Sequence, residues 1–186
     1  NALGEARRGL ALWRSEPGYR RYLIARGLLV TVEIAAPFYA LYARELYGGA
    51  LSALGVYILA VGLGNVLAGP VQGRFADHSA RRAMGVAGLL AAGLALAALL
   101  LGQPNAGVHS PWIFALVFVG LGIAESGARI GRNTWLIDAV SAAERPVYVA
   151  FANTAMGVIT LAWGVLGLVA QLAGIPVLLA LLGVFA

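Results

Sequence analysis

Ionisable side chains stand inside long apolar stretches of this chain, where they are costly unless they have a partner or a task. Glu33 lies near the middle of the first stretch, and Pro37 follows it one helical turn later. A carboxylate in hydrocarbon should face the interior of a helix bundle, where it suits a proton relay or the recognition of a cation. A structural hydrogen bond to another helix is the alternative. Pro37 predicts a kink and an unpaired carbonyl, which serve either as a hinge or only as helix geometry.

Two asparagines and a group of charged residues extend this pattern to other stretches. Asn65 and Asn153 each lie in an apolar, glycine-bearing segment, where an amide binds either substrate or a neighbouring helix. Glu125 and Arg129 are four residues apart in the favourable order, and Arg132 follows one turn later. We predict that these three form a gate or ion-pair network with other arginines; a substrate site is the alternative.

The composition identifies the solvent around these residues as lipid. Of 186 residues, 61% are hydrophobic and 11% are charged, whereas soluble domains carry about 25% charged residues. The apolar residues come in blocks of about twenty, the length that crosses a hydrocarbon core of about 30 Å. Although the pI is near 10.1, the basic residues fall between these blocks, which argues against nucleic acid as a partner. Cysteine is absent, which excludes disulfides and thiolate metal sites; no metal or other cofactor is expected.

The blocks predict an all-α polytopic membrane protein with six transmembrane helices. Residues 1–21 are predicted to form a cytoplasmic amphipathic linker, with a short helix on the membrane surface that breaks at Pro17-Gly18. Residues 22–186 form the bundle, whose last helix is expected to be truncated. The predicted helices are Tyr22–Leu46, Ser52–Gly73, Ala83–Leu101, Pro111–Trp135, Pro146–Gln171 and a stretch from Ile175 onward.

The distribution of polar residues over these helices has an internal repeat. The first, second, fourth and fifth helices contain polar side chains, whereas the third and sixth contain none. Polar side chains must face protein or a water-filled cavity, while a wholly apolar helix can face lipid. This predicts two three-helix repeats, each with its third helix outermost.

Arginine sets the predicted orientation. Twelve of the thirteen arginines flank or enter the bundle at alternate connections, and only Arg44 lies on the other side. Positive charge is retained on the cytoplasmic side of membranes, so we expect the N-terminal end to be cytoplasmic. Arginine to the exclusion of lysine suggests a GC-rich, bacterial source, and the cell membrane as the location.

The connection after the second predicted helix carries the most specific motif. It reads Gly-Arg-Phe-Ala-Asp-His-Ser-Ala-Arg-Arg from Gly73 to Arg82. This resembles the signature loop of the major facilitator superfamily, Gly-x-x-x-Asp-(Arg/Lys)-x-Gly-(Arg/Lys)-(Arg/Lys), in the position that the family gives it. It departs from that pattern at His78 and Ala80, as does the looser copy in the second half of the family's members. The chain is therefore similar to the C-terminal six-helix half of such a transporter.

That resemblance implies a function and a use for the loop. Gly73 allows close approach, Asp77 is expected to cap the third helix and meet an arginine, and Arg81 and Arg82 lie at the membrane surface. The implied role is a cytoplasmic latch that holds one orientation of the bundle; the alternative is that the two arginines only fix topology.

The predicted function is secondary active transport of a small solute by alternating access, as efflux coupled to H+. This half would move against an N-terminal six-helix half. The chain is not expected to be an enzyme. A non-transporting membrane subunit or receptor is the alternative. An intramembrane protease is disfavoured because the last stretch has no histidine to serve Ser126.

Overall fold

The computed structural model describes residues 2–48, 51–103 and 110–186, and in these ranges the chain forms eight helices and no strand. In chain order they are α1 (Ala2–Ser15), α2 (Pro17–Tyr47), α3 (Leu51–His78), α4 (Ala80–Leu101), α5 (Pro111–Ala139), α6 (Arg145–Trp163), α7 (Leu166–Ala173) and α8 (Ile175–Phe185).

Five segments of the described chain are long and apolar enough to cross a membrane. They lie in α2, α3, α4 and α5 and in the stretch formed by α6 and α7. The predicted sixth span corresponds to α8, which has 11 residues and so rises about 16 Å, roughly half the thickness of the hydrocarbon core. The all-α, polytopic membrane fold predicted from composition is thus confirmed.

The packing of α4 has the pattern expected in lipid, with small residues on its inner face and large apolar residues on its outer face. The inner face of α4 is almost entirely alanine, with Ala83, Ala87 and Ala98 fully buried. Its outer face carries Leu89 and Leu96, which are largely exposed. Because lipid chains solvate leucine as well as a protein core does, helices in membranes associate through small residues that allow close contact.

A close helix crossing joins α3 to α5 and depends on two glycines. A Cβ atom added at Gly64 would collide with the carbonyl oxygen of Val119, and one added at Gly122 would collide with the carbonyl oxygen of Val61. Neither backbone can yield without disturbing its own helix, so the contact requires glycine on both sides. This crossing holds Asn65 on α3 beside Glu125 on α5.

The helix α5 lies at the centre of the bundle, between α2, α3 and α4. At one end, Tyr22 of α2 stacks on Trp135 near the end of α5, with ring centroids 4.2 Å apart. At the other end, Tyr42 of α2 packs against Phe114 at the start of α5. The two helices are therefore antiparallel. We call the end with Tyr22 and Trp135 the arginine-rich face; there α2, α4 and α6 begin and α3 and α5 end.

The boundary between α3 and α4 corrects the sequence prediction. We expect a connecting loop from Gly73 to Arg82, but α3 continues through His78, and only Ser79 separates it from α4. Residues 74–78 include no proline, and Ala76 anchors the last turn because it is fully buried. Ser79, in an extended conformation, caps α4, its hydroxyl accepting a hydrogen bond from the Arg82 backbone N–H at 3.4 Å. The prediction that Asp77 caps this helix is wrong.

The predicted fifth helix is also divided. The sequence from Pro146 to Gln171 has no internal proline, but a turn at Gly164 and Val165 separates α6 from α7. The Gly164 N–H is shared between the carbonyl oxygens of Thr160 and Leu161, the tighter hydrogen bonding that ends an α-helix. Gly174 then takes a positive φ of 88° between α7 and α8, which glycine adopts without strain.

The N-terminal helix packs against the bundle. Leu12 and Trp13 of α1 pack against the buried cluster of the bundle, and Gly9 is pressed against Phe151 of α6. The break predicted at Pro17-Gly18 corresponds to the boundary between α1, which ends at Ser15, and α2, whose first residue is Pro17. Proline is well suited to this position because it has no N–H to leave unpaired.

Candidate functional site

Seven polar residues on four helices meet between the arginine-rich face and the middle of the bundle. We call them the interhelical network: Arg26 and Glu33 on α2, Asn65 on α3, Glu125, Arg129 and Arg132 on α5, and Asn153 on α6. They form three separate contacts, each joining two different helices.

The first contact is an ion pair between Glu33 and Arg132, which joins α2 to α5. It is the one carboxylate–guanidinium pair within 4 Å in the part of the chain that the structure describes. The side chain of Glu33 is 38% exposed and that of Arg132 is 23% exposed. Both therefore open onto a surface of the bundle that water, solute or another helix can reach.

The sequence predicts these two residues as members of different sites. We assign Glu33 to a substrate or proton pathway and Arg132 to a gate with Glu125. The structure instead pairs Arg132 with Glu33, because the long arginine side chain reaches from the last third of α5 towards the middle of α2. A change of charge at Glu33 therefore changes the attraction between α2 and α5.

Pro37 lies on the same face of α2, one turn from Glu33, inside an otherwise continuous helix. Having no N–H, it cannot bond to the carbonyl oxygen four residues earlier, which is that of Glu33 itself. The backbone of Glu33 is therefore less constrained than that of its neighbours. This adjacency gives α2 a natural point of bending beside its ionisable residue.

The second contact places the amide of Asn65 between Glu125 and Arg129. Its Nδ2 donates to Glu125 Oε2 at 3.1 Å and to the Val61 carbonyl oxygen at 3.3 Å, while its Oδ1 accepts from Arg129 Nη2 at 3.0 Å. The direct pair expected from the spacing of Glu125 and Arg129 is not present; the amide bridges them. Asn65 orders both charged groups because an amide has a donor and an acceptor at opposite sides.

The third contact joins α2 to α6. Arg26 Nη2 donates to Asn153 Oδ1 at 3.0 Å. Nearby, the indole N–H of Trp163 donates to the Gly27 carbonyl oxygen at 3.2 Å. Asn153 thus contacts another helix in this structure.

The sequence analysis does not identify Arg26 as a member of the site, because it counts this arginine only among those that set the orientation of the chain in the membrane. The available signal was its place inside an apolar helix, where an arginine requires a polar partner. Trp135 stacks on Tyr22, and the adjacent Tyr19 hydroxyl donates to the Tyr148 carbonyl oxygen at 2.7 Å. These aromatic residues hold α2, α5 and α6 together at the arginine-rich face.

The charges of the network do not cancel. It contains three guanidinium groups and two carboxylates, and among the described residues the ion pair of Glu33 accounts for one of each. Arg26 and Arg129 donate to neutral amides, and Glu125 accepts from a neutral amide. Such groups retain unused donors and acceptors, so the site can exchange partners with a solute or with another part of the protein.

The signature motif lies apart from this network, at the arginine-rich face. Asp77, Arg81 and Arg82 are exposed, and in the described ranges none of them has an oppositely charged partner within 4 Å. His78 Nδ1 lies 2.8 Å from the Arg74 carbonyl oxygen, and Gly73 is within α3. The motif is therefore a helical corner that presents one carboxylate, that of Asp77, and three guanidinium groups, those of Arg74, Arg81 and Arg82, outward.

A bundle of apolar helices with polar contacts between its spans defines a multi-pass integral membrane protein. Comparison with known families identifies which kind: the family described as Major Facilitator Superfamily matches residues 25–186. The chain belongs to this superfamily of membrane transporters. No curated protein and no solved structure matches it.

Proposed function

We propose that this chain is the C-terminal half of a secondary active transporter that exports a small solute in exchange for protons by alternating access. The ion pair between Glu33 and Arg132 carries this proposal. It joins α2 to α5 near the middle of the bundle, where formation and loss of charge have large consequences.

The coupling follows from the electrostatics of that pair. While Glu33 is ionised, the pair favours the arrangement in which α2 and α5 are held together. A proton on Glu33 removes the attraction, leaves Arg132 without its carboxylate, and frees α2 to bend at Pro37. A solute that displaces the proton returns the bundle to the first arrangement. Proton binding and helix position are then coupled as linkage requires.

The motif supplies the second element of the mechanism. In the proposed orientation, with twelve arginines retained on one side, the arginine-rich face is cytoplasmic. Asp77, Arg81 and Arg82 then face the N-terminal half of the full-length transporter in the bacterial cell membrane. Ion pairs between the two halves would form when the cytoplasmic side of the transporter closes and would break when it opens, once in each transport cycle.

Residue Ser126 offers little support for the enzymatic alternative. It is buried at 1% exposure, and its hydroxyl has no hydrogen-bond partner among the residues that the structure describes. A serine nucleophile needs an adjacent base and access for its substrate.

Transport by the full-length protein in vesicles tests the proposal. With a pH gradient imposed, candidate solutes should move against their concentration gradients, and a pH-sensitive dye inside the vesicles should report proton flux that depends on the solute. Glu33→Gln should abolish this coupling. Glu45→Gln, which changes an exposed carboxylate near the other end of α2, should leave it intact.

Coupled flux that persists unchanged in Glu33→Gln would remove this residue from the mechanism. A folded protein that moves no solute under any gradient would favour a non-transporting subunit or receptor.

A further inference from the structure

The amide of Asn65 separates two side chains whose spacing would otherwise make them an ion pair. Glu125 and Arg129 are four residues apart on one face of α5, in the order at which a carboxylate and a guanidinium normally meet. In the described part of the chain their charged atoms do not approach within 4 Å of each other. Asn65 of α3 lies between them, with Nδ2 at 3.1 Å from Glu125 Oε2 and Oδ1 at 3.0 Å from Arg129 Nη2.

The position of this amide is fixed by two backbone contacts. Its Nδ2 also donates to the Val61 carbonyl oxygen at 3.3 Å, one turn earlier on α3. The Asn65 backbone nitrogen lies where α3 crosses α5, so close to Gly122 that a Cβ atom added there would come within 2.9 Å of it. Asn65 therefore cannot leave α5 unless the crossing opens. The separation of Glu125 from Arg129 follows from the contact between the two helices.

The two carboxylates of the interhelical network differ in what holds them. Glu33 is in direct contact with the Arg132 guanidinium. Glu125 is half-buried, and its hydrogen bond within the described ranges comes from the neutral amide of Asn65. Its Oε1 accepts no hydrogen bond from this part of the chain and is not closed off from the surface. A proton can therefore bind to Oε1 while Oε2 keeps its hydrogen bond to Asn65.

The charges that face Glu125 come from α2 and α5. On α5, Arg129 is one turn away and donates to the Asn65 amide. On α2, Glu33 is compensated by its ion pair with Arg132. The nearest other ionisable side chains of α2 lie about two turns from Glu33 in the two directions: Arg26 and Tyr39.

Helices α3 and α4 bring no further charge to this depth of the bundle. On α3 no ionisable side chain lies within two turns of Asn65, and the described part of α4 has none from Ala83 onward. The ionisable residues of these two helices lie beyond those limits: Tyr57, Arg74, Asp77, His78, Arg81 and Arg82. Arg129 is therefore the guanidinium that helical spacing brings to Glu125, and Asn65 prevents their contact.

We propose that Glu125 is a second proton-binding group of the transporter, and that Asn65 is a positioning residue that keeps it able to bind a proton. The proton comes from water and adds to Glu125 Oε1, so the net charge of the interhelical network rises by one. Without Asn65, the Arg129 guanidinium would contact the carboxylate directly and hold it in the charged form over a wider pH range. The use of this proton in transport rests on the proposed function, whereas its binding does not.

Infrared difference spectroscopy of the purified full-length protein in detergent tests proton binding. Glutamine keeps an acceptor for the Asn65 amide, so Glu125→Gln should retain the contact between α3 and α5. The difference between wild type and this variant, followed across pH, isolates the carbonyl band of protonated Glu125 and its titration midpoint. We expect the band to appear as the pH falls within the range in which the wild type stays folded. Absence of this band throughout that range would overturn the proposal.

Asn65→Leu tests the positioning role, with the midpoint measured against the same variant carrying Glu125→Gln. Direct contact with Arg129 should move the midpoint to lower pH by at least about one unit, a roughly tenfold loss of proton affinity. Asn133→Leu, the same substitution at an exposed position of α5, should leave the midpoint unchanged. An unchanged or higher midpoint in Asn65→Leu would overturn the role of Asn65.

Arg129→Gln provides a second measurement that leaves Asn65 in place. Because the amide holds the guanidinium away from Glu125, this change alone should move the midpoint by less than about one unit. Added to Asn65→Leu, it should bring the midpoint back to the wild-type value or above it. A larger shift from Arg129→Gln alone would show that the guanidinium already acts directly on Glu125, and would overturn the role of Asn65.

These measurements separate the inference from the transport proposal because spectroscopy in detergent needs no gradient. Coupled flux in vesicles, together with a Glu125 that does not titrate, would overturn the second proton site and retain the transporter. Titration of Glu125 without any coupled flux would retain the site and overturn coupled transport.

Discussion

Arg132 reaches across from α5 to pair with Glu33 at the middle of α2. Of the three contacts in the interhelical network, this one joins two full charges, while the others place a neutral amide between helices. The pair is partly open, so its strength depends on what else occupies the surface around it. A residue that holds two helices together and can also gain a proton is well placed to control their relative position.

Removing one member of this pair should destabilise the protein more than removing both. Arg132→Gln leaves the Glu33 carboxylate without its partner and should cost about 1–2 kcal/mol, less than a fully buried pair because both side chains are partly exposed. The double variant Glu33→Gln, Arg132→Gln should recover part of that loss. Thermal unfolding in detergent measures the cycle. Additive losses would show that the two side chains are not coupled.

The amide bridge predicts a different result for Asn65. Asn65→Leu removes hydrogen bonds to Glu125 and Arg129, each of which contributes about 1–2 kcal/mol because a charged group takes part. Direct pairing of Glu125 with Arg129, four residues apart, should restore some of this. We therefore expect a net loss of about 2–3 kcal/mol in unfolding measurements. Asn133→Leu, at an exposed position of α5, is the control and should have little effect.

The sequence predicts the elements of this fold better than their contacts. Apolar length alone defines the membrane-spanning segments, because a backbone in hydrocarbon must be helical and about twenty residues long. Helix ends were less predictable. The run from Gly73 to Arg82 is polar enough for a loop, yet burial of Ala76 keeps α3 helical to His78.

The sequence predicts which residues belong to the candidate site but not which of them contact each other. Glu33, Asn65, Glu125 and Arg132 are visible in the sequence because polar groups are rare in such helices. Their pairing depends on how α2, α3 and α5 cross. The crossing of α3 and α5 requires Gly64 and Gly122, which are two of 25 glycines in the chain. The spacing within α5 predicts that Glu125 pairs with Arg129. In the structure each of the two residues is hydrogen-bonded to Asn65 of α3 instead.

Glycine substitutions along α3 should have opposite effects at neighbouring positions. Gly64→Ala forces a Cβ atom against the Val119 carbonyl oxygen and should separate α3 from α5, with a loss of stability of about 1–3 kcal/mol. Gly62→Ala has open space around it and should be neutral or stabilising by up to about 1 kcal/mol, since alanine favours a helix. Thermal unfolding of both variants checks this. A comparable loss at both positions would mean that the crossing does not require glycine.

The motif predicts a kinetic defect. Asp77 is exposed at the end of α3 and lies outside the interhelical network. Asp77→Asn should therefore slow the exchange between inward and outward states while leaving solute affinity nearly unchanged. Rates of solute exchange in vesicles, compared with equilibrium binding in detergent, separate the two effects. Equal losses of rate and affinity would argue against a latch.

The orientation can be tested with cysteines introduced into these 186 residues, which contain none, in a full-length protein whose other cysteines are replaced by serine. A cysteine in place of His78, at the arginine-rich end of α3, should be protected from a membrane-impermeant maleimide in intact cells and become reactive when the cells are opened. A cysteine in place of Asn105, in the connection between α4 and α5, should react in intact cells. The physical reason is the retention of arginine on the cytoplasmic side during insertion, which places successive connections on opposite sides of the membrane. Reaction of both cysteines from the same side would contradict a span formed by α4, and the reverse pattern of labelling would invert the proposed topology.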